Sequence, residues 1–258
     1  MRIALGLEYD GSAFCGWQSQ ASACGVQDHL EKALGALAAE RICVTAAGRT
    51  DAGVHASAQV VHFDTNAERD ANAWVRGTNA HLHEAARVLW SHATTDEFHA
   101  RYSALSRTYR YVLLNDPVAP ALGRGRIGWY HRPLELEPMA AALRAIEGEH
   151  DFSAFRDAEC QAKTPVRRML EARVERSHAT FVFTFRANAF LHHMIRNIVG
   201  ACVYIGSGRR PPGWMAELLE KRDRTLAAPT FAPDGLYLAA VEYDPAFGLP
   251  AFPWRALA

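Results

Sequence analysis

Between an apolar run, Ile42 to Val44, and an alternating run, Gln59 to Asp64, the chain carries Gly48-Arg49-Thr50-Asp51-Ala52-Gly53. Asp51 has the widest chemical reach of these residues, because a carboxylate can serve as nucleophile, general base or metal ligand. Arg49 stands close enough along the loop to pair with it, and such a pair keeps a carboxylate ionised when a substrate excludes water. Gly48 and Gly53 allow tight turns and close approach of another molecule. The plainer alternative is a β-turn whose Asp caps its own backbone. The Asp-Ala-Gly step is not the motif of aspartic proteases, and the segment lacks the lysine of a phosphate-binding Walker loop.

Two further stretches hold reactive or ligand-binding residue types. In Arg107-Thr108-Tyr109-Arg110-Tyr111, strand alternation puts both tyrosines on one face and Arg110 on the other. An aromatic on a sheet face can support a flipped base, with nearby arginines on phosphates; alternatively Tyr111 is core and Tyr109 a rim residue. In Asn188 to Gly200, His192 and His193 are adjacent. Neighbours on a helix point about 100° apart and do not easily share an ion. His81, His83, His99 and His131 form no ligand series at useful spacing either, so no metal is expected. His193, Arg196 and Asn197 read as a polar helix face that supports RNA or the active site, or else as a solvated face.

The elements that must position these groups follow from periodicity. Ile3, Leu5, Leu7 and Tyr9 alternate as a strand, and Val26, Leu30, Ala33, Leu34 and Leu37 recur at helical spacing over 26–38. Strands are expected at Ile42–Ala46, Ala58–Asp64 and Arg87–Ala93, with a helix over Asp70–Asn79. The second half predicts a strand at Thr108–Asn115, a helix at Glu137–Ile146 and a hairpin of Val166–Arg176 with Thr180–Ala187. A long helix over Phe190–Ile205, a shorter one after Pro211-Pro212-Gly213 and a closing strand at Leu236–Tyr243 complete it. Both halves read β-α-β-β-α-β. The expected fold class is therefore α/β (α+β), with two similar ferredoxin-like or RNA-recognition-like halves and antiparallel sheets. The expected domains are 1–100, carrying the Asp51 loop, and 101–258, carrying Tyr109 and an RNA-binding surface.

With 258 residues, 49% hydrophobic and 22% charged, the chain has ample material for a core and is not of disordered composition. Net charge is zero but uneven. Residues 1–100 hold seven basic and twelve acidic groups, residues 101–210 seventeen and ten. That basic middle is the expected footprint of a nucleic-acid site. Arginine supplies 25 of the 28 basic residues, which suits phosphate contacts and stacking on bases, although genomic base composition also favours it. No apolar run approaches a membrane span, and the first residues read as a strand with no signal-peptide block. Five cysteines without C-x-x-C spacing point to reduced thiols and a cytoplasmic protein.

Seven ordered stretches resemble the tRNA pseudouridine synthase A (TruA) family. They are Leu7-Glu8-Tyr9-Asp10-Gly11 with Gly16-Trp17-Gln18, Ala47 to His55, Phe98-His99-Ala100-Arg101, Tyr109-Arg110-Tyr111, Asp151 to Phe155, Asn188 to Gly200, and Gly235-Leu236-Tyr237-Leu238. The resemblance implies the pseudouridine synthase fold and an isomerase that converts uridine to pseudouridine at tRNA positions 38, 39 and 40, in the anticodon arm. It implies Asp51 as the essential carboxylate, Arg49 paired with it, and Tyr109 packed on the target base. It also implies a homodimer, a basic cleft and no cofactor. Isomerisation breaks N1–C1′ and forms C5–C1′ without redox change or energy input. Asp51 would attack C1′ or C6, or remove the C2′ proton; the residues leave all three open. A non-catalytic RNA-binding protein with paired recognition-like domains is the alternative, against which stands a carboxylate placed where phosphate would be repelled. A metal-dependent hydrolase fails on ligand spacing.

Overall fold

The computed structural model describes residues 1–250. The chain divides into two compact units, Met1–Arg107 together with the chain from Tyr237 onward, and Thr108–Leu236.

In the first unit, β1 (Arg2–Tyr9) runs antiparallel to both β3 (His55–Asp64) and β4 (Ala86–Thr94). Ile3, Leu5, Leu7 and Tyr9 are all buried, as their alternation requires. Leu5 pairs with Val61 and Ile3 with Phe63. The second strand is shorter than expected: β2 is only Thr45–Ala46. Val44 gives its N–H to Glu31 Oε1 at 2.9 Å, so the apolar run Ile42–Val44 is tied to a helix and not to a strand partner. The helix, α1 (Val26–Ala38), buries Val26, Leu30, Ala33 and Leu34 on one face. Its N-cap is Gly25, whose N–H is held by Asp28 Oδ2 at 3.0 Å. A second helix, α2 (Ala71–His81), begins at Asp70, which accepts from the Ala73 N–H at 2.7 Å, and its Trp74 packs edge-on against Phe63. The closing strand β10 (Leu236–Tyr243) lies mostly in this unit and runs parallel to β3 through Tyr237–His55 and Leu238–Ala56.

The second unit orders its strands β5 (Ala104–Asn115), β9 (Thr180–Ala187), β8 (Val166–Ser177) and β7 (Gly148–Asp151). A short β6 (Gly128–Tyr130) pairs with β5. The β8–β9 hairpin sets Phe183 opposite Val174 and Phe185 opposite Ala172. Phe181, Phe183 and Phe185 are fully buried, the one-face aromatic row that strand alternation dictates. Helices α3 (Leu136–Arg144), α4 (Met194–Gly206) and α5 (Trp214–Lys221) complete the unit. Helix α4 starts four residues later than the periodicity predicts. His193 adopts φ 60°, the left-handed region, and the first helical turn is closed by the Asn197 N–H on His193 O. No helix among the described residues is long and apolar enough to cross a membrane.

The expectation of wholly reduced thiols is not met. Cys15 and Cys24 are joined in a disulfide, while Cys43, Cys160 and Cys202 are free. The two stand nine positions apart in sequence, but the connection between β1 and α1 folds back so that the Cys15 N–H bonds Cys24 O at 3.0 Å. Linear spacing carries no trace of that return.

Candidate active site

Asp51 lies on the link between β2 and β3, half-buried, in a turn closed by the Val54 N–H on its backbone carbonyl at 3.1 Å. The loop is gripped along its length. At its start, Ala47 gives its N–H to Val60 O at 2.8 Å, and the buried Arg107 guanidinium donates to Ala47 O. Arg107 thus serves as a backbone brace. Gly48 O accepts from Gln59 Nε2 at 2.8 Å, and Gln59 is fully buried on β3. The hydroxyl of Thr50 bonds that of Tyr9 at 2.8 Å, and Thr50 O accepts from the Trp17 N–H at 2.9 Å. Burial lifts the Tyr9 phenol to about 12, opposed by its bonds with Thr50 and Gln59, so it stays neutral at physiological pH.

Two glycines permit this fit. At Gly11 an added Cβ would stand 2.1 Å from Val54 O, which no backbone tolerates. Gly16 takes φ 94°, and an added Cβ would stand 2.9 Å from Thr50 O and 3.1 Å from the Asp51 carbonyl carbon, so any side chain there would be strained as well as obstructed. Below the loop, His55 Nδ1 accepts from the Gly11 N–H at 3.0 Å and its ring stacks on Tyr237 at 4.6 Å. Arg49, two residues before Asp51, is exposed.

In the second unit Tyr109 and Tyr111 share a face of β5, and both are buried. Tyr111 is core: its hydroxyl donates to Ala232 O at 2.9 Å, and burial pushes its ionisation well above the usual tyrosine range. Tyr109, 8% exposed, meets Phe190 edge to face at 5.1 Å.

The histidine pair is not helical, so the argument from helical spacing does not apply to it. His192 and His193 stack at 3.9 Å between ring centres, and both turn to Asp157. His193 Nδ1 bonds Asp157 Oδ2 at 2.7 Å, and His192 Nδ1 lies 3.5 Å from Oδ1. Burial pushes the Asp157 carboxyl up, but the Glu159 N–H and the two histidines outweigh it and hold the group below its usual range. Asp157 precedes the pair by more than thirty residues, and no local pattern announced it. Arg196 donates through Nε to Phe231 O at 2.8 Å. Asn197, read as part of a polar face, is wholly buried; it donates to Phe155 O and accepts from Arg224 and Thr230.

A mixed α/β frame that presents a half-buried carboxylate on a glycine-clasped loop is the arrangement of an enzyme with an acidic catalytic group. Residues 7–103 and 142–244 match the family model described as tRNA pseudouridine synthase. The chain belongs to that family, whose members isomerise uridine to pseudouridine in tRNA. It is 57% identical over 250 residues to a tRNA pseudouridine synthase A of Methylobacillus flagellatus, covering 97% of this chain and 96% of that one. It is 59% identical over 250 residues to the protein of that name from Aromatoleum aromaticum, with 97% and 95% covered. The protein of the same name from Paraburkholderia xenovorans is 54% identical over 261 residues, with 99% and 97% covered.

Proposed function

We propose that this isomerase acts on uridines 38, 39 and 40 of the tRNA anticodon arm and that Asp51 is its essential catalytic carboxylate. The observation that carries the reading is the clasp on the Asp51 loop. Five of the six residues from Ala47 to Ala52, all but the exposed Arg49, are held by bonds or close contacts from Arg107, Val60, Gln59, Tyr9, Trp17 and Gly16, yet Asp51 itself is not sealed in the core. A turn that served folding alone would not need so many restraints from distant parts of the chain. A catalytic group does, because small misplacements of a reacting atom are costly in rate.

Around that centre the reading assigns residues 1–100 the catalytic loop and 101–258 the base-packing and RNA-binding roles. Tyr109 packs on the target base, and Arg49, exposed beside Asp51, binds the substrate. His193 and Arg196 contact the RNA backbone. The enzyme works as a homodimer in the cytoplasm, with no metal and no cofactor. The order of the motifs from Leu7 to Leu238, and the match of residues 7–103 and 142–244 to the family model, support these assignments.

The test is incubation with unmodified tRNA in EDTA, followed by mapping of pseudouridine. Wild type is expected to modify positions 38–40, and Asp51→Asn, which keeps size and removes charge, to lose at least about 10³-fold in rate. Equal product from both proteins overturns the role of Asp51; loss of all product in EDTA overturns the metal-free reading.

A further inference from the structure

We propose that Cys15 and Cys24 form a reversible thiol–disulfide site whose state sets how firmly the Asp51 loop is held; the second clause rests on the catalytic role proposed for Asp51. The segment that the bridge closes is the one that clasps this loop. Gly16, next to Cys15, lies against Thr50, Asp51 and Ala52, and the Trp17 N–H bonds Thr50 O. The same two residues anchor the start of α1: Gly16 O accepts from Val26 and Trp17 O from Gln27. Trp17 is 2% exposed and its ring lies 6.0 Å from that of Tyr9, the partner of Thr50.

Between these fixed ends, residues 18–23 are exposed, and Ala23 takes a left-handed φ of 52°. Cys15 is exposed and Cys24 half-buried, so the sulfurs are accessible to small molecules. Their Cα atoms stand 5.4 Å apart, within the span that a disulfide bridges without backbone movement. A covalent tie removes conformational freedom from a short, solvent-facing excursion. Without it, the exposed strip is restrained by Cys15 N–H on Cys24 O, Gln20 Nε2 on Cys15 O, Ala23 N–H on Gln20 O, Ser19 Oγ on Asp28, and the Gln18 amide and Ser19 N–H on Gln27 Oε1. Each is a surface bond of small net worth.

The oxidant is a low-molecular-weight disulfide, RSSR. The thiolate of Cys15, the more exposed, attacks one sulfur of RSSR, forms a mixed disulfide and expels RS⁻. The thiolate of Cys24 then attacks Cys15 Sγ and expels the second RS⁻. The two protons given up by the cysteines yield two RSH, so two electrons pass from the protein to the small disulfide. Excess RSH runs the sequence backward. In a reducing compartment such a bridge is a sensor rather than a permanent staple.

The experiment equilibrates the full-length protein with oxidised or reduced glutathione, traps it in acid and counts alkylatable thiols after unfolding. Three are expected in the oxidised form (Cys43, Cys160 and Cys202) and five in the reduced form. Amide exchange at residues 16–18 and 50–54 should be severalfold faster in the reduced form and in Cys15→Ser or Cys24→Ser. Turnover of unmodified tRNA should fall severalfold on reduction of wild type and not respond to redox state in either variant. Five thiols in oxidised glutathione overturn the site, and unchanged exchange with unchanged turnover overturns its coupling to the loop. Thiol count and exchange need no turnover, so their failure is distinct from failure of the Asp51 assignment, which Asp51→Asn reads separately.

Discussion

At the scale of single residues, the contrast between Tyr109 and Tyr111 is the sharpest. They stand two apart on one strand face, and both are buried. Tyr111 spends its hydroxyl on Ala232 O and meets Phe231 edge-on, so its work is structural. Tyr109 meets Phe190 edge to face, an arrangement that fixes its ring plane. Tyr109→Ala is expected to lower turnover by about 10- to 100-fold, the range of base–aromatic stacking energies, and to weaken tRNA binding far less, because phosphate contacts remain. Tyr109→Phe should keep most activity. Single-turnover rates and filter binding on the same tRNA separate the two effects; collapse of binding with normal turnover of bound tRNA refutes the stacking role.

At the scale of elements, α4 is held by its interior polar residue as much as by its apolar ones. Ile198, Val199, Ala201 and Cys202 are fully buried, and so is Asn197. The Asn197 amide joins α4 to Phe155 O in the loop after β7 and to Arg224 and Thr230 further along the chain. Asn197→Ala leaves a buried carbonyl and an arginine donor without their partner, a cost of about 2–4 kcal/mol. Thermal melting should show a drop of several degrees, whereas Asp70→Ala at the exposed α2 N-cap should cost only about 1 kcal/mol. Equal shifts from the two would show that the α4 network is not cooperative.

At the scale of the whole molecule, His62 predicts how stability depends on pH. It is 6% exposed, its Nδ1 accepts from the Ala100 N–H at 3.1 Å, and its ring lies 4.8 Å from that of His99. Burial, then His99 and the charge of Arg2, lower its pKa to about 4 against the opposing pull of Asp64. The folded state therefore binds fewer protons than the unfolded one between the ordinary histidine value of about 6.5 and 4. The stability tied to neutral His62 is full above about pH 6.5 and is lost as pH falls to 4, a change of about 3 kcal/mol. Urea unfolding at pH 7 and pH 4.5 measures it. His62→Gln, which can also accept from Ala100, should flatten the profile; an unchanged profile would assign the acid sensitivity to carboxylates instead.

How much of this was legible in the chain depends on how local each cause is. Helix α1 and strand β10 stand where periodicity predicts them, because each is defined by which of its own residues must be buried. The Asp51 loop was visible for the same reason: residue types, turn chemistry and motif order are one-dimensional properties, and they carried the family assignment that the match over 7–103 and 142–244 bears out. What tertiary structure alone decided were pairings across long separations. It brought Cys24 back to Cys15, set Asp157 under two histidines, sank Asn197 into the core and turned Arg107 into a brace for Ala47. It also ended the apolar run Ile42–Val44 on Glu31 and broke the helix before Met194. Each of those outcomes is a polar group finding a partner once burial has removed water, and that partner is chosen by the folded chain, not by its neighbours in sequence.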